Sequence, residues 1–70
     1  MITQAEKILR HMQDHGSITQ LEAMQDYGIM RLASRISDLK KAGFIISSRR
    51  VKGTNRYGEP TFYSIYTLVD

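Results

Sequence analysis

The chain has 70 residues, a formal charge of +3, a sequence pI of about 9.5 and no cysteine. That length bounds it to one domain, expected over residues 1–70, with a modest core and without disulfide or zinc-thiolate staples. No apolar run approaches the roughly 20 residues of a membrane span, and MITQAEKILR is polar and periodic, unlike a signal peptide, so a cytoplasmic protein is expected.

Thr3 and Glu6 form a capping-box pattern, T-x-x-E, that opens a first helix. Ala5, Ile8, Leu9 and Met12 recur at helical spacing on one face of it, and His15-Gly16 ends it. Ser17-Ile18 is a short extended link and a possible third strand. Thr19 and Glu22 repeat the capping box. The second helix is expected from Gln20 to Tyr27, with Leu21 and Met24 inward and Ala23 close beside them. Gly28 closes this helix and makes the turn.

A third helix is expected from about Met30 to Ala42, with Gly43 as its stop. At about 100° per residue, Ile29, Leu32, Ala33, Ile36 and Leu39 fall on one arc. Met30, Ser34, Ser37, Asp38 and Lys41 fall opposite, and Arg31 and Arg35 lie on the flank.

The apolar period then shortens to that of a strand. Phe44, Ile46 and Ser48 alternate with Ile45, Ser47 and Arg49; later Phe62, Ser64, Tyr66 and Leu68 alternate with Tyr63, Ile65 and Thr67. The breakers from Lys52 to Pro60 predict a long hairpin loop between the two strands. The fold class expected is α+β, with three helices followed by a two-stranded hairpin.

Charge is unevenly distributed. Residues 1–30 carry Lys7 and Arg10 against Glu6, Asp14, Glu22 and Asp26; residues 31–70 carry eight cations against Asp38, Glu59 and Asp70. One side of the molecule is therefore a candidate polyanion surface, the alternative being a solvated face that maintains solubility.

Two short amphipathic helices around a glycine turn suit a helix-turn-helix, in which the first helix braces a second that meets base edges in the major groove. A helical hairpin used only for packing gives the same pattern. The hairpin that follows separates the two, because a wing that lies on phosphates needs cations and a tip that can bend. Arg49, Arg50, Lys52 and Arg56 supply the cations, with no acid among residues 49–56. Thr54 and Asn55 can bond sugar and phosphate. Cations also protect a free strand edge from aggregation, which is the competing account.

On these residues the chain resembles the small winged helix-turn-helix DNA-binding domains of bacterial and phage regulators. The resemblance is carried by Thr19-Gln20-Leu21-Glu22-Ala23, by Tyr27-Gly28-Ile29, by the run from Arg31 to Leu39, by Gly43 and by Tyr66-Thr67-Leu68. It covers nearly the whole chain, with no added ligand-binding or dimerisation domain, and compact chains of this kind are similar to phage-encoded regulators. It implies that Ile29, Leu32, Ile36 and Leu39 are core. It implies that Met30, Arg31, Ser34, Arg35, Asp38 and Lys41 present the third helix to DNA. Arg suits bidentate contact with guanine. Asp38 accepts from cytosine, orients Arg35 or Arg31, or lies outside the contact.

Other chemistry is poorly supplied. His11 and His15 are four apart on a helix, but no third ligand accompanies them, so no metal and no cofactor are expected. The serines have no His-acid partner that sequence can place, so no enzyme is expected. No small-molecule ligand is evident. Met12 and Met24 read as core filler, while Met30 reads as exposed, toward a thymine methyl or a protein partner. Tyr57, at the hairpin tip, is the best-placed aromatic for stacking on a base.

The expected function is sequence-specific binding of double-stranded DNA, as a small transcriptional regulator or an accessory architectural factor. Size favours a homodimer or tandem sites. The rival is a protein-protein interaction module, such as a phage inhibitor of a host complex, with Met30, Ile45 and Tyr63 as contact patch. A second rival is RNA binding through the wing.

Overall fold

The computed structural model describes residues 3–69; residues 1, 2 and 70, which the single-domain expectation includes, lie outside it. Three helices and three strands follow in the order α1 (Gln4–His15), β1 (Ser17–Thr19), α2 (Gln20–Tyr27), α3 (Leu32–Lys41), β2 (Ile46–Thr54) and β3 (Pro60–Leu68). The sheet is antiparallel in the order β1-β3-β2, so the short link at Ser17-Ile18 is a strand. It pairs Ser17 with Thr67, Ile18 with Tyr66 and Thr19 with Ile65.

Local signals set the helix ends. The Thr3 hydroxyl accepts from the Glu6 amide at 3.1 Å. At Thr19 the capping box is complete: its hydroxyl accepts from the Glu22 amide at 3.2 Å, and its own amide donates to the Glu22 carboxylate at 2.9 Å. Gly28 closes α2 in the left-handed region, φ 68° and ψ 23°, where a Cβ is disfavoured. Its amide donates to the Met24 carbonyl at 2.9 Å, and the Ile29 amide to the Ala23 carbonyl at 3.1 Å.

The core gathers Ile8 and Met12 of α1, Ile18 of β1, Ala23 of α2, Ile29, then Leu32, Ile36 and Leu39 of α3, and Ile46 of β2. Ala5, Leu9, Tyr27, Tyr66 and Leu68 pack around it. Each fully buried Ile or Leu contributes about 1.5–3 kcal/mol through removal of apolar surface from water.

Several expectations are corrected. On α2 the inward residues are Ala23 and Tyr27, while Leu21 and Met24 are 57% and 41% exposed. The buried stripe is Gln20, Ala23 and Tyr27, one position out of phase with the expected one. Ala23 leaves room for close approach, and the entry of the helix is fixed by β1. Met24 is therefore not core filler.

Helix α3 begins at Leu32, two residues later than expected, because Arg31 (φ −120°, ψ 68°) is non-helical. This extended passage lets Ile29 enter the core from the turn, at 1% exposure, without belonging to the helix. Met30 and Arg31 thus precede α3. Ala33, placed on the apolar arc, is exposed.

Strand β2 begins at Ile46, because the chain from Ala42 to Ile45 is spent turning out of α3; the Phe44 amide bonds back to the Leu39 carbonyl at 3.1 Å. The hairpin is longer and its loop shorter than expected. Lys52, Gly53 and Thr54 are strand residues paired with Phe62, Thr61 and Pro60, leaving residues 55–59 as the loop. Pro60 fits as the first residue of its strand, where its missing N–H costs little.

His11, a helix residue given no role by sequence, is buried at 4% exposure. Its Nδ1 lies 2.8 Å from the Tyr27 hydroxyl, and the two share one hydrogen bond. Its Nε2 has no hydrogen-bond partner and faces the Glu22 carboxylate at 3.7 Å. The Tyr27 hydroxyl is held above its ordinary ionisation range by burial first and then by the negative charge of Asp26, Asp14 and Glu22, with Arg10 opposing.

Candidate nucleic-acid interface

Strand alternation divides the hairpin into two faces. Ile46 and Leu68 are a directly opposed pair, and so are Ser48 and Tyr66, on the face that packs against the helices. Following that face outward gives Arg50 opposite Ser64 and Lys52 opposite Phe62. The reverse face carries Ser47, Arg49, Val51 and Gly53 opposite Thr67, Ile65, Tyr63 and Thr61. The cations read together in the sequence are therefore split: Arg50 and Lys52 look toward the helices, and Arg49 looks away.

The helix-facing side of the hairpin and the first turn of α3 enclose a cleft of about 540 Å³. Leu32 and Ala33 form its helix wall; Arg50, Phe62, Ser64 and Tyr66 form its hairpin wall, which Tyr63 also lines although its register places it on the reverse face; Gln20 closes it from α2. The Arg50 guanidinium carbon lies 5.0 Å from the centre of the Phe62 ring, in cation–π contact. On the reverse face Tyr63 covers Gly53, whose absent Cβ would sit 3.4 Å from the tyrosine ring.

The hairpin tip is internally bonded. Asn55 Oδ1 accepts from the amides of Tyr57 (2.9 Å) and Glu59 (3.0 Å), and its Nδ2 donates to the Glu59 carboxylate at 3.3 Å. The Asn55 side chain, expected at sugar or phosphate, is occupied in shaping the loop. Thr54 and Arg56 are exposed beside it, and Tyr57 is 79% exposed.

On α3, Ala33, Ser37, Asp38, Lys40 and Lys41 are exposed, while Ser34 is half-buried. Arg35 is also half-buried and spans to Asp38, Nε to Oδ2 at 3.4 Å, an ion pair whose geometry falls short of a hydrogen bond. Of the roles open to Asp38, orienting Arg35 is the one this geometry displays. Met30 (70% exposed) and Arg31 sit together in the turn before the helix.

Ala33 and Lys40, not selected from sequence, lie with Ser37 on one exposed stripe at i, i+4, i+7. The signal for them was the same helical wheel, once α3 is started at Leu32. Gln20 was also missed, and a lone glutamine in a capping sequence carries no signal of a contact twelve residues away.

Among the described residues no group of three or more His, Cys, Asp or Glu side chains is placed to hold a metal ion, and no helix is long and apolar enough to cross a membrane.

Three helices, a three-stranded antiparallel sheet and a projecting basic hairpin define the class of small winged helix-turn-helix domains. The family model described as a winged helix-turn-helix domain matches residues 3–70, and the chain belongs to that family, a DNA-binding kind of domain. Comparison with curated proteins and with solved structures gives no match.

Proposed function

We propose that the chain is a sequence-specific double-stranded DNA-binding protein, acting without catalysis as a small cytoplasmic transcriptional regulator. Helix α3 reads the major groove through the face holding Ala33, Ser34, Ser37 and Lys41, with Arg31 and Met30 entering from the turn before it. The hairpin is the wing and holds phosphates through Arg50, Lys52 and Arg56. The observation that carries this reading is the placement of Arg50 and Lys52 on the hairpin face turned toward α3. A merely protective set of edge cations has no reason to favour that face.

Neutralising phosphates releases counterions, so affinity for duplex DNA falls steeply with salt. Replacing Arg49 and Arg50 together flattens that dependence, whereas replacing Arg31 or Ser34 changes sequence preference more than overall affinity. Selection of bound duplexes from a random pool tests the proposal directly: an enriched motif supports it, and its symmetry reports whether one or two copies bind. Salt-independent binding, or none at low salt, refutes it.

A protein-binding module is the second reading. It is favoured by Met30 and Ile45, exposed at 70% and 67%. It requires that a pool of duplexes yield no enrichment and that M30A or I45A abolish a protein complex while leaving the fold intact.

A further inference from the structure

The adjacent arginines Arg49 and Arg50 are equivalent by composition and separated by geometry. Arg50 stands opposite Ser64 and faces the cleft; Arg49 stands opposite Ile65 on the reverse face. Arg50 is also constrained. Its guanidinium rests 5.0 Å from the Phe62 ring centre, and that ring belongs to the other strand of the hairpin and lines the same cleft. A long, exposed arginine otherwise loses substantial rotamer freedom on binding. An aromatic face that already holds it reduces that loss.

The cleft suits one strand of a duplex backbone. Its lining combines a single cation, the Ser64 hydroxyl and the apolar surface of Ala33, while the Phe62 ring is taken up by the Arg50 guanidinium. A sugar-phosphate unit needs that mixture: a cation and a donor for the phosphate, and apolar contact for the deoxyribose. Arg49 does not line this space.

Resting on the DNA-binding reading, we infer that Arg50 and not Arg49 is the wing's phosphate contact in the cleft beside α3, and that Phe62 is its positioning residue. Phe62 acts by holding the guanidinium over its ring, directed at the backbone strand that passes between helix and wing. The division of labour within the Arg49-Arg50 pair follows from strand alternation and the register of β2 against β3, which together set Arg50 on the cleft side.

The experiment measures binding of the full chain to a fluorescent duplex across a salt series. Replacing Arg50 by Ala lowers the salt slope by about 0.9, the value for one phosphate contact, while Arg49→Ala changes it by less than half as much. Phe62→Ala and Phe62→Leu weaken binding several-fold in the parent chain and have no further effect when Arg50 is already Ala. Phe62→Tyr restores parent affinity. Leu preserves bulk without a π face, so a loss shared by Leu and Ala is not a folding defect, and circular dichroism confirms the fold of each variant.

Equal slopes for the two arginine variants overturn the inference, as does additivity of the Phe62 and Arg50 replacements. In both cases DNA binding persists and the functional proposal stands. Absence of binding by the parent chain at low salt overturns both.

Discussion

Gln20 and Leu32, twelve residues apart, are joined across the turn between α2 and α3: the Leu32 amide donates to Gln20 Oε1 at 3.0 Å. The other end of the same side chain donates from Nε2 to the Ile29 carbonyl at 2.8 Å. Arg31, the residue at the N-terminus of α3, makes no side-chain cap of its own. The cap of α3 is thus supplied by the first residue of α2, and this ties the two helices together across the turn.

Replacing Gln20 by Ala leaves the Leu32 amide and Ile29 carbonyl without these partners. Unsatisfied, partly buried groups cost about 1–3 kcal/mol, so Q20A lowers stability by that order in urea unfolding. Q20E keeps the acceptor and loses the donor, and falls between the two.

The α2–α3 turn also depends on the left-handed conformation of Gly28. A Cβ there meets nothing within 4 Å, so the cost of a side chain is backbone strain alone. Gly28→Ala is expected to destabilise by about 1–2 kcal/mol, and Gly28→Asn by less. Thermal unfolding distinguishes the two.

The proton on Tyr27 links stability to pH. Its ordinary ionisation is near 10.0 and the folded chain holds it higher, through burial and then the neighbouring Asp26 charge. The unfolded chain therefore releases this proton first. The stabilisation is whole below about pH 10 and is lost as pH rises through the higher folded value. Y27F removes this alkaline loss. It also costs about 1–2 kcal/mol at neutral pH, because it deprives the buried His11 Nδ1 of its partner. Unfolding titrations of both proteins between neutral and strongly alkaline pH measure the difference.

Neighbouring residues of α3 separate fold from binding. Leu32 is fully buried and Ala33 is exposed in the cleft. Leu32→Ala costs about 2–5 kcal/mol of stability through the cavity it leaves. Ala33→Glu leaves stability within about 0.5 kcal/mol, as exposed replacements do, and reduces duplex affinity at least about tenfold by repelling phosphate. Denaturation and DNA titration of the same two variants check both halves.

Much of this fold is legible in the chain because local chemistry announces it. Thr19 and Glu22 mark a helix start, Gly28 marks a turn, and alternation through Ser64, Tyr66 and Leu68 marks a strand. The errors fall where tertiary context decides. Leu21 and Met24 are more apolar than Ala23, yet the small residue is buried, because interhelical distance outranks hydropathy there. Pro60 and Gly53 read as loop residues but are accommodated by a strand's first position and by the Tyr63 ring. In the candidate site the residue types were legible. The opposite facing of Arg49 and Arg50 relative to α3 needed the register with β3.

The hairpin described above outruns its support. Strand β1 ends its pairing at Thr19 opposite Ile65, and from Arg50 and Ser64 to Thr54 and Pro60 the two strands have only each other. The chain consequently carries two tiers of cooperativity. Amide protons of the outer ribbon can exchange with solvent through local opening, while those of α1, α3 and inner β3 wait for global unfolding. A bound duplex would erase that difference by slowing exchange in the ribbon, so the least protected part of the free protein is the part whose protection reports occupancy.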